Sequence, residues 1–218
     1  MTEAPFMRAR SAEQKAQRAE AILSAAAHVL DRDGIEGATL AAIAAEAGVV
    51  KSGLYRYYES REDVLMHLLA QDAVLLIDRV AAAYAALPQR NDFAAMGRIF
   101  AAECAALPRF GLLISQMASV LEQNVSPARI IEIKRGFLAH MGRMVEALVT
   151  AAPSIARADA VFLVNALTHL VAGLWPVTHP APAVAEALEA PDLEPFRIEF
   201  QDQLARSATA LIRGMAGR

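Results

Sequence analysis

The chain is 218 residues long, 56% hydrophobic and 21% charged. That is enough apolar material for a substantial core in one or two domains, and it excludes a disordered or fibrous class. A net charge of −3 excludes a protein that coats nucleic acid without regard to sequence, and a lone cysteine, Cys104, excludes an intramolecular disulfide framework and a CxxC metal pair.

No uninterrupted apolar run reaches about 18 residues, and the N-terminus lacks the apolar core of a secretory signal. The expectation is a soluble, cytoplasmic protein with no membrane partner. Alanine is abundant, β-branched alternation is absent, and Pro or Gly punctuates only at long intervals, so the elements read as helices throughout. The first spans about Ser11 to Asp31, with Ile22, Ala26, Val29 and Leu30 on one face, and ends near Gly34. Arg8, Arg10, Lys15 and Arg18 form a basic arm at its start, able to follow a nucleic-acid backbone or to remain a solvated tail.

Thr39–Arg61 is the most informative segment. Leu40, Ile43, Ala44 and Ala47 recur at helical spacing, Gly48 supplies a turn, and Leu54, Tyr55 and Tyr58 resume an apolar face on a second short helix. This is helix-turn-helix spacing, in which the first helix crosses the phosphate backbone and the second enters the major groove. Lys51, Ser52, Arg56 and Tyr57 fit the outward face of that second helix. Thr39 suits two roles, as N-cap and as hydroxyl donor to a phosphate oxygen, although Ala42 stands where a capping-box glutamate would. The ring of Tyr58, and largely that of Tyr55, reads as core packing with the hydroxyl at the domain edge. Residues 1–61 carry eight Lys or Arg and eight Asp or Glu, so the basic charge that would meet DNA is local rather than overall.

Gly34, Thr39, the run I-A-A-E-A-G-V and the run Y-R-Y-Y-E-S-R together resemble the DNA-binding domain of the tetracycline-repressor (TetR) family of transcriptional regulators, over roughly Ala19 to Leu65. The family's usual tyrosine, aromatic pair and basic residue fall on Tyr55, on Tyr57 with Tyr58, and on Arg61. The resemblance implies a DNA-contacting set of Thr39, Lys51, Ser52, Tyr55, Arg56, Tyr57 and Arg61. Two positions depart from the pattern: Val50 stands where a serine often caps the recognition helix, and Gly53 replaces a threonine that in relatives often touches DNA.

Beyond this segment, Ser60 followed by Asp63 is a capping-box signature for a long helix through Tyr84, closed before Pro88. The reading divides the chain into a DNA-binding domain, 1–60, and a larger helical domain, 61–218. Further helices are predicted at Asp92–Ala106, Arg109–Leu121, Pro127–Thr150, Ile155–Trp175 and Leu193–Met215. Pro176, Pro180, Pro182, Pro191 and Pro195 mark 176–195 as a loop, with one short helix around Ala183–Ala190.

Phe100, Cys104, Phe110, Met117, Phe137, Met141, Phe162, His169 and Trp175 are large or adaptable side chains at helical spacing. They suit either a core or an apolar effector pocket between helices. No metal or cofactor is expected, because none of the five histidines falls in a metal-binding spacing and no catalytic constellation stands beside them. Leu163, Leu167 and Leu170 belong to a run that wraps more than one helix face, and Phe196, Phe200, Leu204, Ala208 and Leu211 form a stripe on the last helix. The resemblance implies that these last two long helices pair with their counterparts in a homodimer. The combined reading is an all-α, two-domain regulator of a double-stranded DNA operator, a repressor released by a small, largely apolar effector. A helical enzyme, or a DNA-binding scaffold without a ligand, are the alternatives.

Overall fold

The computed structural model describes residues 4–216, with side chains from Glu13 onward. Among them are ten α-helices, one π turn, one 3-10 turn and no strand. The chain divides into two compact units, one formed by Met1–Leu68 with Ser119–Ile131 and the other by Leu69–Ala118 with Glu132–Arg218. The division therefore falls inside a helix, past the expected boundary at residue 60, and the first unit takes in a segment remote in sequence.

In the first unit, α1 (Ala4–Gly37) outruns the expected Ser11–Asp31 at both ends, kinked at Gly34, where φ is 70°. Glycine adopts that left-handed conformation without the clash a Cβ would cause. Ile22, Ala26, Val29 and Leu30 of α1 are buried, as are Ile43 and Ala44 of α2 (Leu40–Glu46), and the two helices pack together. After α2 the Gly48 amide donates to the Ala45 carbonyl and the Val49 amide to that of Ala44, with Gly48 at φ 64°. This Schellman closure turns the chain sharply into α3 (Lys51–Leu54). The first turns of α4 (Arg61–Ala85) complete the unit with Val64, Leu65 and Leu68 buried.

The second unit is built on α5 (Phe93–Ala105), α6 (Pro108–Gln116), α8 (Arg157–Thr178) and α10 (Phe200–Met215), with α10 packed on α5 and α8, and α6 on α8 and α5. The α5–α10 approach is close because residue 97 is glycine: a Cβ there would lie 2.8 Å from the Ala205 carbonyl oxygen. Gly111 likewise admits the Trp175 ring, whose Cε3 would stand 2.1 Å from an added Cβ.

Four expected elements differ. The predicted helix Arg109–Leu121 begins one residue earlier, at Pro108, and yields at Met117–Leu121 to a π turn. The helix expected to break at Pro176 continues to Thr178: proline removes one donor, and the Thr178 hydroxyl closes the last turn by donating to the carbonyls of Leu174 (3.1 Å) and Trp175 (3.2 Å). The predicted helix Leu193–Met215 is a 3-10 turn, Pro191–Phe196, an extended step, and then α10. The interruption follows Phe196, where Arg197 takes an extended conformation with φ −79° and ψ 107°. Phe196 thus leaves the α10 stripe and is exposed; the stripe is Phe200, Leu204, Ala208 and Ile212, not Leu211. The expected Ala183–Ala190 helix is α9 (Pro182–Ala187). The Arg197 guanidinium donates to the carbonyls of Leu188, Glu189 and Ala190 and ties the segment after α9 to the extended step.

α7 (Pro127–Ala151) begins in the first unit and continues in the second. The reading of apolar runs needs one correction: α8 is long and apolar enough by length and composition to cross a membrane, with a window of mean hydropathy 1.7. Asn165, Thr168 and His169 interrupt it, and 33% of the window is buried, with Leu163, Leu167, Val171 and Trp175 on the covered face.

Candidate nucleic-acid interface

Thr39 holds the start of α2: its Oγ1 accepts from the Ala42 amide at 3.2 Å. Only a lone pair is used in this cap, so the exposed hydroxyl still has its proton to donate. The second helix of the motif, α3, is a single turn. Val50 at its N-cap supplies no side-chain bond and is 72% exposed, and Gly53 in its centre lowers helix propensity. Turns continue it, through bonds from the Tyr57 amide (2.9 Å) and the Tyr58 amide (3.0 Å) to the Leu54 carbonyl.

What anchors this weak helix is burial from below. Leu54 is fully buried and Tyr58 nearly so, with the Tyr58 hydroxyl donating to the Ala19 carbonyl of α1 at 3.2 Å. Burial and the nearby Asp63 charge push the Tyr58 phenol up to about 12, so it remains a donor. Lys51, Ser52 and Arg56 face outward, exposed, and Tyr57 is half-buried. Tyr55 does not share Tyr58's packing role: it is 56% exposed and lies with the outward set, correcting the expected Leu54–Tyr55–Tyr58 face. Arg61 is only partly exposed, and its Nε bonds Glu62 Oε1 at 2.9 Å.

Two groups that sequence reasoning underweighted or missed are brought to this surface. Lys15 and Arg18, expected as part of an arm preceding the first helix, sit on α1 and line a polar hollow with Gln14, Gln17, Ala21, Arg56 and Tyr57. The side chains of Arg8 and Arg10 lie outside the described residues. The second group surrounds Asp63. The Ser60 Oγ accepts from the Asp63 amide at 3.0 Å, as the capping-box signature predicts, and the Asp63 carboxylate accepts from the Glu59 amide at 2.8 Å. Asp63 is also fully buried, with His67 Nδ1 at 3.1 Å and Arg129 Nε at 3.0 Å. Burial by itself pushes this carboxyl up; the hydrogen bonds from His67, Glu59 and Arg129 outweigh it and hold it below the usual carboxylate range. Arg129 and Asp63 are 66 positions apart, so no local spacing signals the pair.

In the second unit the expected pocket residues separate. Phe100, Cys104, Phe110 and Trp175 are buried, Met117, Phe137 and Met141 are half-buried, and Phe162 and His169 are exposed and therefore do not line an enclosed site. Trp175 stacks on His179 with centroids 3.7 Å apart and meets the Phe200 ring edge-on at 5.1 Å. Burial pushes the Cys104 thiol well above its ordinary range, leaving it neutral and unreactive. An open apolar cleft lies elsewhere, lined by Pro176, Val177, Pro180, Ala181, Val184, Leu188, Leu193 and Phe196. The expected dimer set also needs correction: Leu163, Leu167, Phe200 and Leu204 are buried within the chain's own core, and of that set only Leu170 keeps part of its surface. Apolar stripes identify buried faces, and here the chain itself covers them.

Residues 22–68 match the model of bacterial regulatory proteins of the tetR family, and residues 70–218 match the tetracyclin repressor-like C-terminal domain. No curated protein matches the chain. Among solved structures it is similar to the fatty acid degradation regulator FadR of Bacillus halodurans, at 17% identity and TM-score 0.52, over 89% of this chain and 97% of that one. It is similar also to a TetR variant of Acinetobacter baumannii AYE solved with minocycline, at 16% identity and TM-score 0.55, over 88% of this chain and 93% of that one. A transcriptional regulator of Rhodococcus sp. Rha1 shows 18% identity and TM-score 0.53, over 92% of this chain and 98% of that one. At these identities the solved structures establish a shared fold, and the two domain models together span nearly the whole chain. The protein belongs to the TetR family and is a helix-turn-helix, DNA-binding transcriptional regulator.

Proposed function

We propose that the protein is a homodimeric repressor that holds a two-fold-related duplex operator and releases it when a small, largely apolar molecule binds the second unit. The observation that carries the DNA contacts is the outward side chains of the motif: Lys51, Ser52, Tyr55 and Arg56 are exposed on and just after α3, and Lys15 and Arg18 of α1 line a hollow with Arg56 and Tyr57. In this reading α3 reads base edges, and Thr39, Lys15, Arg18, Lys51 and Tyr57 meet phosphates. Selecting duplexes from a random pool tests it. The recovered sequences should be near-palindromic, with half-sites about one helical turn apart or a multiple of it. Lys15→Ala, Arg18→Ala and Lys51→Ala should each lower the log–log salt slope by about one unit. Unchanged affinity and slope in all three would remove this set of contacts.

For the dimer we assign the outward face of α8, where Val161, Phe162 and Val177 are 43%, 54% and 53% exposed and Leu170 is partly exposed. Apolar side chains this exposed along one helix favour a covering partner. Phe162→Glu should dissociate the dimer in sedimentation without unfolding the chain, and a persistent dimer would place the seam elsewhere. For release, Trp175 is the only tryptophan and is buried against Gly111 and Phe200. Apolar compounds that alter its emission should free labelled DNA at matching concentrations. A hundredfold loss of DNA affinity requires about 2.7 kcal/mol of coupling, and linkage requires DNA to weaken the ligand equally. Saturable binding with DNA affinity unchanged would favour a DNA-binding protein without an inducer.

A further inference from the structure

We infer that Arg129, in the first turn of α7, is a positioning residue for the DNA-reading segment, clasping the Tyr57 carbonyl and the Asp63 carboxylate at once. The inference rests on the DNA-binding reading of Tyr57 and its neighbours and adds to it the residue that holds them. Segment Ser119–Ile131 is part of the first unit, although the residues on either side of it in the chain belong to the second. It is anchored there by Leu121, fully buried, and by Val125. Its polar groups then close on the far end of the reading segment. Arg129 Nε donates to Asp63 at 3.0 Å, and an NH2 group of the same guanidinium donates to the Tyr57 carbonyl at 3.2 Å. The Ser126 hydroxyl donates to Glu59 Oε1 at 3.0 Å and the Ser126 amide to Glu59 Oε2 at 3.2 Å.

The geometry suits a positioning role. The Arg129 side chain is only 19% exposed and Asp63 not at all, so the guanidinium is committed inward rather than offered to a phosphate. A planar fork can hold a carboxylate and a carbonyl in fixed relation, which a point charge cannot do. The segment it holds needs such help, because α3 is one turn long with no N-cap bond and a central glycine. Arg129 sits in the first turn of α7, which the chain enters shortly after the π turn that follows α6.

The test uses the full chain and the tightest duplex recovered by the wild-type protein from a random pool. Arg129→Lys keeps a cation against Asp63 and gives up the second bond. We expect an affinity loss of about tenfold, the size of one lost charge-assisted hydrogen bond, with the salt slope unchanged. In the free protein the amides of Tyr57, Tyr58 and Glu59 should exchange faster while those of α2 do not. Ser126→Ala, at an exposed bond of the same clasp, should speed exchange at Glu59 even if the Arg129 variant folds poorly. Equal affinity with unaltered exchange overturns the clasp while leaving the DNA reading intact. A slope reduced by one unit overturns it in favour of a direct phosphate contact. Failure of the wild-type chain to recover any duplex overturns the DNA reading and the inference with it.

Discussion

The two units solve the same problem, a buried carboxylate, in the same way, yet are held by different means elsewhere. In the first, Asp63 is met by Arg129; in the second, Asp72 accepts two bonds from Arg109, at 2.8 and 2.7 Å. Around those pairs the first unit is organised by short-range polar devices: the Thr39 cap, the Gly48 closure and the Ser60–Asp63 box. The second is organised by contact, with Gly97 against α10, Gly111 under Trp175 and the Leu163–Leu167 face of α8 sealed by its own neighbours. Capping bonds depend on residues three or four apart. Helix contacts depend on whichever face happens to arrive opposite, which is why the expected dimer seam turned out to be core.

This contrast is open to experiment. The largest effect is expected from Leu204→Glu: Leu204 is fully buried, and an unpartnered carboxylate there should cost several kcal/mol and unfold the second unit, seen as early loss of Trp175 near-ultraviolet signal. Phe162→Glu, on exposed surface of the same unit, should leave that signal in place. Gly111→Ala comes next. The added methyl meets the Trp175 ring at 2.1 Å, and overpacking of this kind costs about 1–3 kcal/mol, read as a lower unfolding midpoint with altered Trp175 emission. A neutral midpoint would mean that α6 and α8 can separate freely.

Local devices should give smaller responses. Thr39→Ala should destabilise the first unit by about 1 kcal/mol through the lost cap, and Val50→Ser should stabilise it by a comparable amount by capping α3, both measurable by chemical denaturation. A Cβ added at Gly53 meets only Val50 Cγ2, at 3.7 Å, so Gly53→Thr should fold normally and shift the selected half-site sequence rather than stability. Acid offers a graded version of the same comparison over the range where both units stay folded. The folded Asp63 carboxyl titrates below its unfolded value, so its stabilisation is complete above the ordinary aspartate range near pH 4. That stabilisation should disappear as pH falls through the lower folded value. Asp63→Asn should lose this acid dependence, and an unchanged acid profile would show that Asp63 contributes nothing to it.

The amino-acid sequence by itself determined the helices, the helix-turn-helix and its turn, because caps, glycine conformations and 3.6-residue periodicity are properties of neighbours along the chain. Thr39, Gly48, Ser60 and the outward residues Lys51, Ser52 and Arg56 were legible for that reason. Only the tertiary structure decided what covers each apolar face and which charge meets which. It turned Tyr55 outward and kept Tyr58 in, and placed Phe162 and His169 on the surface while sealing Leu163 and Leu167. It also brought Lys15 and Arg18 beside Arg56, and Arg129 to Asp63 and Tyr57. These contacts join positions tens of residues apart, and periodicity states that a face must be buried without stating against what.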